Sequence, residues 1–129
     1  MKKFILLLFL GVFALSVNAQ VVTSDPDTIT NAGTADAIVK PGGGSVVVGV
    51  QVVVTKISGT VAGNCKLFGS IDGLNYVQIE TTDSLALTDV ATQTYIWQVA
   101  PSPYDKLKCT CTGSGTMSAG ILAKAIRRD

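Results

Sequence analysis

Three cysteines, at positions 65, 109 and 111, are the residues of this sequence best suited to covalent or metal chemistry. An odd number cannot all pair within one molecule, so one thiol is left over. Cys109 and Cys111 stand two apart in an extended segment, which puts them on one face with their Cα atoms near the upper limit for bridging. Cys65 can bridge to either of them if its strand lies beside or opposite theirs. The other reading is that all three are small apolar side chains on core faces, where the alternation of the sequence predicts burial. Cys-x-Cys plus one distant Cys, with no histidine, is a poor match to zinc spacing. No metal and no cofactor is expected.

The absence of histidine also removes the usual general base and every Ser/His or Cys/His nucleophile pair. Asp72, Glu80, Asp83, Asp89 and Asp105 are the carboxylates left for a glycosidase-like pair. Each lies in or beside a turn, where Asp serves backbone geometry. Asp83 with Asp89, and Asp25 with Asp27, match no calcium-loop pattern. The sequence therefore predicts no catalytic residue and no enzyme. Aromatic residues are better candidates for binding. Trp97 shares the more apolar face of its strand with Tyr95 and Val99 and is assigned to the core. Tyr104, between prolines and Asp105-Lys106, is the aromatic expected at the surface. Asp72, Asn75, Tyr76 and Tyr104 make the candidate ligand-binding set, on the loops Asp72 to Asn75 and Pro101 to Tyr104.

The elements that position these residues read as strands throughout, since Val, Thr, Gly and Ser abound and no stretch shows a 3.6-residue period. In Val46 to Val54 the even positions form an unbroken apolar face, while the odd ones mix Val47, Gly49, Gln51 and Val53. That strand should be central, burying one face fully and the other in part. Cys65 to Ser70 follows the turn at Ser58 to Asn64, with Cys65, Leu67 and Gly69 on one face. Asp72-Gly73 lies in a tight hairpin, from which Tyr76 to Glu80 returns with Val77 and Ile79 expected inward. Ser84 to Val90 is a weaker segment. Gln93 to Val99 is a strand ended by Pro101 and Pro103. Asp105 to Thr112 and Thr116 to Ile126 form the last hairpin, with Leu107, Cys109 and Cys111 on one face and Met117, Ala119, Ile121, Ala123 and Ala125 facing inward on the partner. Six or seven short strands at this spacing predict an all-β, antiparallel, jelly-roll-like sandwich over residues 46–129.

Residues 20–45 are polar and irregular, with possible short strands at Thr28 to Asn31 and Ala37 to Lys40, and are expected to form an arm. Residues 1–19 have the pattern of a secretory signal peptide: Lys2 and Lys3, an apolar run from Phe4 to Leu15, then Val17 and Ala19 at the −3 and −1 positions. The run is too short for a stable span of about 20 residues, so the chain is expected to be exported, with no membrane span after cleavage. Two of the ten Lys and Arg would leave with that leader, so eight basic side chains would face nine acidic ones, a formal charge of −1. Such a balance lacks the clustered positive charge of a nucleic-acid binder. The gathering of Lys124, Arg127 and Arg128 beside Asp129 is assigned to a solvated tail.

Three stretches together carry a resemblance: Phe68-Gly69-Ser70-Ile71-Asp72-Gly73-Leu74-Asn75-Tyr76, Leu87-Thr88-Asp89-Val90-Ala91-Thr92-Gln93-Thr94, and Gly113-Ser114-Gly115-Thr116-Met117-Ser118-Ala119. They resemble the small all-β proteins found among phage virion components, whether head decoration, fibre or tail-associated. The first hairpin alone is similar to one in discoidin-like (F5/8 type C) binding domains. The resemblance covers roughly Val46 to Ile126, rests on turns and strands, and transfers no functional residue. It implies a structural protein. A virion protein made in the cytoplasm needs no leader, so the leader points instead to a periplasmic, cell-surface or secreted relative, or to a phage-derived gene put to another use. Two functions follow as expectations. One is an exported structural protein acting through protein partners or self-assembly, with its arm available to add a strand to a neighbour. The other is a secreted module that binds a glycan or another surface ligand.

Overall fold

The computed structural model describes residues 19–42, 47–79, 83–100 and 102–128. Residues 1–18 of the leader expected over 1–19, with Gly43 to Val46, Glu80 to Thr82, Pro101 and Asp129, lie outside these. Among the described residues there are ten strands: β1 (Gln20–Thr23), β2 (Asp27–Thr30), β3 (Thr34–Val39), β4 (Val47–Gly59), β5 (Gly63–Ser70), β6 (Val77–Gln78), β7 (Leu85–Leu87), β8 (Thr92–Val99), β9 (Lys106–Gly113) and β10 (Met117–Arg128). They form two antiparallel sheets. Sheet A has the order β1-β10-β4-β8, with β2 also on β10; sheet B has the order β3-β9-β5-β6, with β7 also on β5. The fold is therefore an all-β sandwich. Among the described residues no helix is long and apolar enough to cross a membrane.

The alternation in the sequence fixes which side chains meet between the sheets. Val48, Val50, Val52 and Val54 of β4 are buried, as are Ala119, Ile121, Ala123 and Ala125 of β10; from sheet B come Ala35, Ala37, Val39, Cys65, Leu67, Leu107, Cys109 and Cys111. Each fully buried Val or Leu contributes about 1.5–3 kcal/mol. Small alanines on β3 and β10 stand among branched valines and leucines, which lets the two layers approach closely. Ile57 bulges out of β4 where the register with β10 shifts, between Lys56 opposite Ala119 and Ser58 opposite Ser118.

Two local expectations differ. Residues 20–45, set apart in the sequence as an arm, contribute β1 and β2 to sheet A and β3 to sheet B, and Ile29 and Val39 lie in the core. Their polar character reflects strands with only one face buried: the pattern of β3 alternates between exposed and buried along its length. Val77, expected inward, is 70% exposed, whereas Ile79 packs against the core. β6 is only two residues long, too short to hold the alternation beyond the hairpin.

Candidate binding surfaces

Cys65 and Cys111 are directly opposite in the β5/β9 register and are joined by a disulfide. Cys109 stays a thiol, with its Sγ 3.8 Å from that of Cys111. Burial, with a smaller contribution from the Asp36 charge, pushes the Cys109 thiol up to about 12. At neutral pH it is held as the thiol. The three sulfurs lie within 4.8 Å of one another, but the bridge occupies two of them, and the cluster acts as a covalent clasp inside sheet B.

The hairpin after β5 is organised by Asp72. Its Oδ1 accepts from the Ser70 hydroxyl and the Leu74 and Asn75 amides, at 2.8–2.9 Å, and its Oδ2 accepts from Asn75 Nδ2 at 2.6 Å. These bonds, the two backbone amides foremost, hold the Asp72 carboxyl well below the usual range. Gly73 adopts a φ of 72°, the left-handed conformation such a turn needs. Asp72, Asn75 and Tyr104 do come together, around a cleft of about 250 Å3 that Gly69, Ile71 and Val77 also line. Most of the acceptor capacity of Asp72 is nevertheless spent within its own loop.

Tyr76 sits elsewhere. Its ring lies 4.6 Å from the Lys108 ammonium, which is also 5.7 Å from the Phe68 ring and 3.5 Å from Asp36 Oδ2. Asp36 in turn accepts from the Thr110 hydroxyl at 2.6 Å. Lys108 is thus held between two rings and a carboxylate on the outer face of sheet B. Burial raises the Tyr76 hydroxyl above its ordinary value, and the charges of Asp36, Asp105 and Asp72 add to that. Tyr95 and Trp97 meet edge to face at 5.0 Å, and both bond Asp83, Trp97 through its Nε1 to the Asp83 carbonyl at 3.2 Å. They fix the segment before β7 against β8. Asp89 accepts from Lys56 at 2.7 Å and from the Val61 amide at 3.0 Å, and the Lys56 bond foremost lowers its carboxyl.

The outer face of sheet A is a surface that the sequence did not single out. Val21 and Ile96 are 60% and 62% exposed there, and Ile126 is 38% exposed. Between them runs a groove of about 540 Å3 lined by Val47, Gly49, Ile96, Gln98, Ile126 and Arg128, continuous through Gly49, Ile96 and Ile126 with a smaller hollow beside Val21 and Gln51. Gly49 forms the floor, where a Cβ would stand 3.3 Å from the Ile126 side chain. The outward residues of β4 and β8 are uncharged, and the cations of this face, Lys124 and Arg128, are on β10. The signal was present in the odd positions of β4 and the even positions of β8, which carry no charge where a solvated face normally does.

Neither a protein-family model nor a curated protein matches the sequence. Solved structures do share the fold. A Yersinia pseudotuberculosis-derived mitogen superposes with a TM-score of 0.53 at 12% identity, over 87% of this chain and 89% of its own. The PRD1 vertex protein P5 superposes with a TM-score of 0.53 at 11% identity, over 88% and 98%. At such identities the likeness concerns the architecture.

Proposed function

We propose that the protein is an exported, non-enzymatic structural subunit that works by protein contact through the outer face of sheet A. The observation that carries this is the groove around Gly49, flanked by the exposed apolar side chains of Val21, Ile96 and Ile126, with the cations Lys124 and Arg128 on its β10 side. A solvated sheet face is ordinarily polar, and exposed apolar patches of this kind mark contact surfaces. The virion-like resemblance of the hairpins belongs to the same proposal, as does an extracytoplasmic location after removal of the leader. A second reading, a glycan or other ligand in the Asp72 cleft, is favoured by the meeting of Asp72, Asn75 and Tyr104 there.

A photoreactive residue introduced at Ile126 separates the two when the protein is irradiated in cells that make it. The proposal expects an adduct of discrete mass with a protein from position 126 and none from a matching probe at Leu74 on the hairpin, which is 83% exposed. Adducts from Leu74 alone would move the site to the cleft and overturn the assignment to sheet A.

A further inference from the structure

We propose that two copies of this chain pair antiparallel through β8, so that sheet A continues across a two-fold axis; this rests on the assembly reading above and adds to it a self-contact at the edge of the same sheet. The β4/β8 ladder shows which backbone groups are available. Lys56 N donates to the Ala91 carbonyl at 2.9 Å, and the β4/β8 register continues from that pair through Thr55 opposite Thr92 to Val48 opposite Val99. Hydrogen-bonded and non-hydrogen-bonded pairs alternate along an antiparallel ladder. Gln93, Tyr95, Trp97 and Val99 therefore direct their N–H and C=O groups to β4. Thr92, Thr94, Ile96 and Gln98 direct theirs away from the sheet. β8 pairs with no strand on that side, and among the described residues none bonds these outward groups.

The other edges are blunted. On the far side of sheet A, β1 and β2 are four residues each and are separated by Ser24, Asp25 and Pro26. In sheet B, the edge amide of Asp36 on β3 is already taken by Asp27 Oδ2 at 3.0 Å, and β6 and β7 are two and three residues long. β8 has eight residues, Thr-Gln-Thr-Tyr-Ile-Trp-Gln-Val, with no charge, no proline and no bulge. Natural edges of that length normally carry one of these devices against pairing.

A second copy fits this edge better than an unlike partner because the edge is compatible with itself. An isologous contact sets residue i against j and j against i, with only the residues at the axis meeting their own mates, so a strand charged near its centre would bring like charges together. The uncharged outer faces of β8 and β4 avoid this, and Lys124 and Arg128 are set back on β10. The groups also match in number. Centred on Tyr95, the pairing sets Thr92 opposite Gln98 of the second copy and Thr94 opposite Ile96 of the second copy. All four outward residues then meet outward residues, and the exposed Ile96 side chains of the two copies approach across the axis.

Light scattering across a concentration series tests this on the wild type, Thr94→Pro and Ile96→Lys, with circular dichroism to establish that each variant is folded. Thr94→Pro removes an outward N–H that β4 does not use, and Ile96→Lys puts like charges beside the axis. The expected result is a wild-type dimer whose dissociation constant rises by at least about tenfold in both variants. If Thr94→Pro does not fold, Ile96→Lys carries the test alone. A wild type that stays monomeric to millimolar concentration overturns self-pairing, and adducts from the Ile126 probe would then show that the assembly reading survives it. A multimer that persists unchanged in the folded variants overturns the β8 assignment while leaving assembly in place.

Discussion

Replacing Cys65 and Cys111 together by alanine removes the clasp between β5 and β9 without leaving an unpaired sulfur beside Cys109. The bridge spans a sequence separation of 46 residues. Closing a loop of that length in the unfolded chain costs entropy equivalent to about 4 kcal/mol of stability, on the chain-entropy account of disulfides. For a domain of this size, that corresponds to a fall in Tm of about 15 °C. Cys109→Ala alone keeps the bridge and removes one buried sulfur, so it should cost only about 1 kcal/mol. Melting followed by circular dichroism, with the wild type measured with and without reductant, gives the comparison. Alkylation followed by mass measurement supplies the independent check: none of the three cysteines modified in the native protein, one after denaturation, three after denaturation with reduction. A double variant that melts within about 5 °C of the wild type would refute the entropic reasoning. Two thiols per chain after denaturation without reductant would mean that no bridge is closed within the chain and that the third cysteine is bonded to another molecule.

Gly69 leaves no room for a Cβ, which would stand 2.5–2.7 Å from the Tyr104 ring; Gly69→Val should cost about 1–3 kcal/mol in urea unfolding and should shift the Tyr104 fluorescence or ring resonances. Asp72 and Asp89 are both more acidic in the folded chain than in the unfolded one. The folded state then binds fewer protons, so their contribution is full above the unfolded value of about 3.9 and is lost as pH falls through it toward the lowered folded values. Unfolding midpoints should be level from neutral pH to about 5 and decline below about 4, and the decline should shrink in the Asp72→Asn, Asp89→Asn double variant. Trp97→Phe removes the Nε1 bond to the Asp83 carbonyl and should cost about 1–3 kcal/mol, with loosened protease protection of the Asp83 to Leu85 segment as its local signature.

The parts of this fold that could be read from the sequence are those where a period of two meets a buried face. Val48 to Val54, Cys65 with Leu67, Leu107 with Cys109 and Cys111, and the alanines of β10 all follow from alternation alone, because a strand with one face in the core repeats its apolar residues at every second position. β1 to β3 were harder. Their inward residues are Ile29, Ala35, Ala37 and Val39, and a stretch of alternating alanine and polar residues looks like a loop until a partner strand supplies the apolar context. Val77 failed for the opposite reason, since a tight hairpin held by Asp72 releases the chain from the ladder after only two residues. The candidate ligand set was legible only as turn chemistry: Asp72 and Asn75 meet in the hairpin, but their mutual bond is an inward-looking one. The groove on sheet A depends on the registry of Ile126, Gly49 and Gln98 across β10, β4 and β8, and register between strands far apart in sequence is a tertiary property that no single segment encodes.

Residue-resolved amide hydrogen exchange along β8, measured at low and high protein concentration, tests the central claim most directly. The account predicts an alternation at low concentration, with the amides of Tyr95, Trp97 and Val99 protected by β4 and those of Thr94, Ile96 and Gln98 exchanging freely, and a rise in protection of the second group alone as concentration increases. Fast exchange at Thr94, Ile96 and Gln98 at every concentration would contradict pairing through this edge, and protection of those three amides even at high dilution would contradict the edge itself.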